Sequence, residues 1–169
     1  HEDSLWVAPN GRDIYFMWYP GNLFADFDKK QFVDDIDNWR SSEPFTTKKK
    51  VNEYGLSLDV ASAAGAMMGA DGAWYYHSNH HVLQTGDSTD GIYRNDKLII
   101  FKSGKPRGNP HYCATKDELW FDDDQDLVGG VIKGAKASDF KNPIFTTPFV
   151  GTQWWLSEDC MTAYFASNR

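Results

Sequence analysis

Residues 91–102 read GIYRNDKLIIFK, two short runs of β-branched and aromatic residues on either side of Arg94-Asn95-Asp96-Lys97. Asn and Asp tolerate the left-handed backbone of a tight reversal, so this stretch predicts a β-hairpin whose second arm is Leu98 to Lys102. Upstream, Trp74 to Gln84 reads as one strand. Downstream, strands are predicted at His111 to Ala114, Leu119 to Phe121, Leu127 to Lys133, Ile144 to Val150 and Met161 to Ala166. Turn signals separate these runs every ~8 to 15 residues. That spacing predicts a mainly β chain, an antiparallel β-sandwich or barrel with one or two short helices in its N-terminal third.

The N-terminal third is more mixed. Arg12 to Tyr19 is strand-like and stops at Pro20-Gly21. Asp28 caps a predicted helix that runs to Arg40: Gln31 completes a capping box, and Phe27 and Phe32 stand at the positions of a hydrophobic staple. Phe32, Val33, Ile36 and Trp39 form its apolar stripe and leave Asp34, Asp35 and Asp37 in solvent. Ser41 to Lys50 reads as a polar loop and Tyr54 to Val60 as a strand. Ala61 to Gly72 mixes Ala and Met with three glycines, each costing about 1 kcal/mol in a helix, and is expected as a short helix or an ordered loop. No internal repeat or linker is evident, so residues 1–169 are expected to form a single domain.

Composition narrows the function classes. A net charge of -7 and a pI near 5.1 repel nucleic-acid phosphate, and the longest basic run is Lys48-Lys49-Lys50. No nucleic-acid partner is expected. No apolar run approaches the roughly 18 residues of a transmembrane helix. Cys113 and Cys160 are the two cysteines, and an even pair in an exported chain predicts one disulfide. Seven tryptophans suggest flat surfaces for stacking on sugar rings. Trp154 and Trp155 are adjacent, so on a strand they point to opposite faces and at most one is core. Those two, with Trp74 and Trp120, are the candidate glycan-contacting residues.

The histidines carry the candidate chemistry. His77, His80 and His81 cluster, and His111 follows Pro106-Arg107-Gly108-Asn109-Pro110. On a continuous strand His77 and His81 share a face about 13 Å apart while His80 points away. These three then cannot hold one metal together unless the strand breaks at Ser78-Asn79. His1 is the remaining partner: its α-amine and ring nitrogen can chelate one ion, an arrangement suited to Cu(II). A chain opening on His is expected from signal-peptide cleavage, from removal of a pro-segment or as a remnant of a tag, and the first of these predicts a secreted, extracellular protein.

The opening His1 with Pro9-Asn10-Gly11-Arg12 resembles the start of lytic polysaccharide monooxygenases, and Tyr164-Phe165 falls where that family places its axial aromatic residue. The resemblance touches these positions rather than the whole chain. It implies a β-sandwich holding copper between His1 and His77, with Tyr164 near the axial position and His80, His81 and His111 as substitutes for His77. The implied activity is oxidative attack on a polysaccharide. Pro106-x-Gly108-x-x-His111 resembles the second metal motif of cupins, without a matching first motif. Asp122-Asp123-Asp124-Gln125-Asp126 lacks the Gly and Glu of a calcium loop and reads as a solvated turn. No nucleophile elbow, phosphate loop, dinucleotide fingerprint or His-Glu-x-x-His occurs. Two classes remain: a secreted copper oxidoreductase, and a non-catalytic secreted module that binds glycan, lectin-like or toxin-like.

Overall fold

The computed structural model describes residues 2–19, 36–57, 61–123, 126–131, 140–145, 151–157 and 159–167. The predicted hairpin joins β7 (Gly91–Arg94) to β8 (Lys97–Ile100), and Asn95 takes the left-handed conformation at φ 53° that the turn requires. It closes a four-stranded sheet that begins with β5 (Ala63–Met68) and β6 (Trp74–Ser78). Before it lies a sheet of β1 (Glu2–Val7), β2 (Asp13–Trp18), β3 (Asp37–Ser42) and β4 (Lys49–Lys50). After it come β9 (Arg107–Cys113), β10 (Glu118–Asp123), β11 (Asp126–Val131) and β12 (Phe140–Phe145), then a hairpin of β13 (Gly151–Leu156) and β14 (Ala163–Ser167).

The mainly β, antiparallel class predicted from the turn spacing is thus observed. Each sheet runs up and down in chain order. The first strands lie side by side, β1 by β5, β5 by β9 and β9 by β13. This is the layout of successive β-propeller blades. Three apolar clusters fill the three junctions. Tyr15, Leu56 and Trp74 join the first sheet to the second; Met67, Tyr75, Leu119 and Phe121 join the second to the third; Cys113, Trp120, Leu156 and Cys160 join the third to the β13–β14 hairpin.

The sequence shows no repeat, but the structure contains one. The first strand of every sheet shifts register at the same place: between Asp3 and Trp6, Ala64 and Met67, His111 and Gly108, and Thr152 and Trp155. Ser4, Gly65 and Asn109 occupy the first inserted position with φ of 52°, 65° and 44°. These are bulges, which sharpen strand twist and re-aim the side chains beyond them. At Gly65 a Cβ would stand 3.0 Å from His77 Nδ1, so glycine serves there both for its backbone and for close packing.

Several local expectations are corrected. Asp37–Arg40, the end of the predicted Asp28 to Arg40 helix, belongs to β3; residues 28–35 lie outside the described residues. Trp39 is held in the sheet by an edge-on contact with Trp18 at 4.7 Å and by pairing with Phe16. Tyr54 does not begin a strand: Glu53–Gly55 is a 3-10 turn with Tyr54 at φ 55°. Ala61 to Gly72 is largely β5, because its small residues fit the crowded inner position where neighbouring sheets meet. The strand from Trp74 ends at Ser78, and Val82–Thr85 forms a helical turn closed by Gly86 at φ 71°.

Cys113 and Cys160 form the expected disulfide. No helix among the described residues is long and apolar enough to cross a membrane.

Candidate functional site

The chain does break at Ser78-Asn79. Ser78 Oγ donates to Ser62 O, and Asn79 Oδ1 accepts from Ser62 N, tying the end of β6 to the approach of β5. His80 and His81 then sit in the following turn instead of on the strand.

His77 remains on β6, where its Nδ1 accepts the backbone N–H of Asn109 at 3.1 Å. The bond spans the second and third sheets and assigns the ring proton to Nε2. Asn109 continues the chain of contacts, its Nδ2 donating to Asp122 Oδ2 at 2.7 Å. Burial holds His77 below the usual histidine range, partly opposed by Asp90. Burial also raises the Asp90 carboxyl, against the pull of His77 and His81. His81 is buried, its ring tilted edge-on to Phe101 with 4.3 Å between ring centres, and its Nδ1 meets Tyr93 Oη at 3.0 Å. His80 packs against the rings of Tyr76 and Tyr93, which stack on each other.

Held down by burial, His77 and His80 act as neutral groups, and His81 is engaged in packing and in its contact with Tyr93. Among the described residues, no three His, Cys, Asp or Glu side chains converge to hold a metal ion. The copper expectation turns on His1, which lies outside the described residues. Tyr164, expected near the axial position, is 59 % exposed and packs on Trp155 at 5.3 Å.

Of the candidate glycan-contacting tryptophans, Trp74 and Trp120 are buried at 5 % and 8 % exposure. Both are core residues, and neither offers a face to a sugar. Trp155 is exposed, at 48 %. The side chain of Trp154 lies outside the described residues.

Neutral burial has a pH signature. His80 and His111 are both held down to about 4, each chiefly by burial. The unfolded chain titrates near 6.5. Between those values it binds more protons than the folded chain, so stability is full above about pH 6.5 and is lost as pH falls toward 4. One well-buried ring accounts for at most about 3 kcal/mol, and the half-open His80 for less. Urea unfolding at pH 7, 5.5 and 4.5 should show a falling midpoint, with a flatter profile for His111→Gln. A midpoint constant across that range would contradict neutral burial.

One cleft was not anticipated. It measures about 320 Å³ and is lined by Arg40, Ser42, Thr47, Lys49, Lys50, Val51 and Glu53. Lys49 and Lys50 were read as part of a polar loop, but they form β4 and pair with β3, placing Lys49 directly opposite Arg40. Like charges facing each other across a ladder are destabilising unless something offsets them. Arg40 leans on Asp13 at 3.2 Å, and Lys50 on the buried Asp37 at 2.7 Å. Hydrogen bonds from Ser42 and Asn10, with the Arg40 charge, keep the Asp13 carboxyl below its ordinary value. Beside the cleft, Lys48 Nζ stands 3.4 Å from the centre of the Trp18 ring. The run Lys48-Lys49-Lys50 was the visible signal; its meeting with Arg40 required the fold.

Comparison of the chain with protein-family models and with curated proteins finds no match.

Proposed function

We propose that the protein is a non-catalytic binding module that takes an acidic saccharide, carboxylated or sulfated, in the Arg40–Lys49 cleft. The observation that carries this is the direct cross-strand opposition of Arg40 and Lys49 at the wall of a cleft whose other polar lining groups include Lys50, Ser42 and Thr47. An anion between the two cations offsets their repulsion and gains charge-assisted hydrogen bonds. The hydroxyls of Ser42 and Thr47 and the carboxylate of Glu53 suit the mixed donors and acceptors of a sugar ring. A volume of about 320 Å³ stands at the small end of ligand pockets. The described histidines support a binding role by their engagement in packing and in the Asn109 hydrogen bond.

Affinity electrophoresis through gels containing polygalacturonate, a sulfated glycan or a neutral glucan tests the proposal. Retardation by an acidic polymer, weakened by salt and absent with the neutral one, is expected. Lys49 is exposed, so Lys49→Ala should leave folding intact and weaken binding by about tenfold or more, the loss of one charge-assisted bond. No retardation by any polymer, or equal retardation of wild type and Lys49→Ala, would refute the proposal.

A further inference from the structure

Seven described residues other than glycine hold a positive φ, and their types divide. Ser4, Asn95, Asn109, Asp117 and Cys160 have short side chains, and Asn and Asp are the types that best tolerate the left-handed region. Phe45, at φ 61°, and Tyr54, at φ 55°, are the other two. A bulky ring is strained in that region, and such strain persists only where the surroundings fix the backbone. Here they do: the Phe45 N–H donates to Ser42 O at 2.7 Å, and the Tyr54 carbonyl accepts from Tyr76 Oη at 3.1 Å. Neither ring gains full burial in exchange, for Phe45 is 47 % exposed and Tyr54 56 %.

Both residues flank the run that lines the Arg40–Lys49 cleft. Thr47, Lys49, Val51 and Glu53, every second residue of the chain through β4, form one wall of it. Phe45 lies in the turn between the lining residues Ser42 and Thr47, at one end of that run; Tyr54 follows Glu53 at the other. Lys49 is four residues from one ring and five from the other, so each ring stands within about 17 Å of chain from the cation pair. The cations are central and the rings terminal. An exposed aromatic ring contributes little to the core, but its flat apolar face matches the apolar face of a sugar ring.

We propose that Phe45 and Tyr54 are stacking platforms at the two ends of this cleft, and that its ligand is a segment of an acidic polysaccharide chain rather than a single sugar. The charged ring lies between Arg40 and Lys49, and its neighbours along the chain lie on the aromatic faces. The inference rests on the acidic-saccharide reading of the cleft and extends it from one anionic group to a polymer. Chain length follows from the placement of the rings at opposite ends of the run, which one sugar cannot reach together. The anchored, strained backbones hold both rings in place before binding, so the ligand has less ordering to impose. Stacking is apolar and insensitive to salt, whereas attraction to exposed cations is screened. The two contributions therefore separate by experiment.

Affinity electrophoresis of the intact chain through polygalacturonate or dextran sulfate, with short oligomers and monosaccharides of the same sugars as soluble competitors, tests this. Monosaccharides should compete about tenfold or more weakly than oligomers. Phe45→Gly and Tyr54→Gly place glycine where the backbone is left-handed, so their urea midpoints should hold or rise. Retardation should nevertheless weaken by about fivefold or more in each, the loss of one stacked ring, and by the same factor at low and high salt. The deficit of Lys49→Ala should instead shrink as salt rises, and Tyr54→Phe should bind like the wild type. Binding that needs Lys49 but is unchanged in both glycine variants would overturn the inference and leave the acidic-saccharide reading standing. So would midpoints that fall along with binding, which would make the two residues structural, or monosaccharides that compete as well as oligomers. A wild-type chain retarded by neither polymer would remove the acidic-saccharide reading itself, and this inference with it.

Discussion

Replacing Cys113 and Cys160 together with Ala is expected to lower the unfolding free energy by about 4 kcal/mol, and to loosen the β13–β14 hairpin before the rest. The bond joins residues 47 apart in sequence. Closing a loop of that size removes roughly 4 kcal/mol of conformational freedom from the unfolded chain. The effect is local because of what surrounds the bond. Among the described residues, the cluster of Cys113, Trp120, Leu156 and Cys160 is smaller than the other two, and polar links from the turn after β9 support it. Lys116 Nζ donates to Cys160 O at 3.1 Å, and Thr115 Oγ1 reaches Asp159 O at 3.4 Å. Urea titration combined with hydrogen exchange checks both parts. An unchanged midpoint would contradict the first, and uniform loss of protection across all sheets would contradict the second.

Asn38→Ala is expected to cost about 2 to 5 kcal/mol, more than the side chain's size suggests. Asn38 is fully buried on β3 and uses both ends of its amide, one on the segment that follows the Glu53–Gly55 turn and one on β5 of the second sheet. Nδ2 donates to Leu56 O at 2.7 Å, and Oδ1 accepts the N–H of Ala66 at 3.3 Å. Its backbone is held by Ser57 Oγ, which accepts from Asn38 N and donates to Asn38 O. Removing the amide strands a carbonyl and an N–H in the interior, where each unpaired group costs about 1 to 3 kcal/mol. The apolar variant Asn38→Leu fills the volume without restoring either bond and should be similarly impaired. A loss below about 1 kcal/mol in both would mean that the surroundings rearrange or admit water.

Asn38 and His77 show the same device at successive junctions. Each is a polar side chain from one sheet that accepts a backbone N–H from the bulged first strand of the next, Ala66 or Asn109. A bulge leaves amides outside the ladder of its own sheet, and such groups must find partners if buried. His77 was read from sequence as a metal-ligand candidate; the bulge at Asn109 gives its Nδ1 a structural use. That amide is not recognisable from the string Gly108-Asn109-Pro110, because bulge geometry arises from pairing with β10.

Local chemistry settled part of the fold. Arg94-Asn95-Asp96-Lys97 determined a hairpin because Asn95 accepts a left-handed backbone without help from distant residues. The two cysteines determined a bridge by number.

Where the sequence was ambiguous, partners decided. Asp28 and Gln31 signal a helix, yet Asp37–Arg40 is β3, because pairing with Phe16 and Met17 and the bonds of Asn38 outweigh a cap worth about 1 kcal/mol. Ala63–Met68 has helix-favouring residues but lies in the inner strand, where small side chains admit close neighbours. The repeat escaped notice because what recurs is a backbone state, reached by Ser4, Gly65 and Asn109 alike, and a paired position filled by Trp, Met or His. Alternation and turn chemistry, which act over a few residues, were set by the sequence itself. The order of the sheets and the meeting of Arg40 with Lys49 were decided only by tertiary structure, since each depends on which residues distant in the chain come to share a surface.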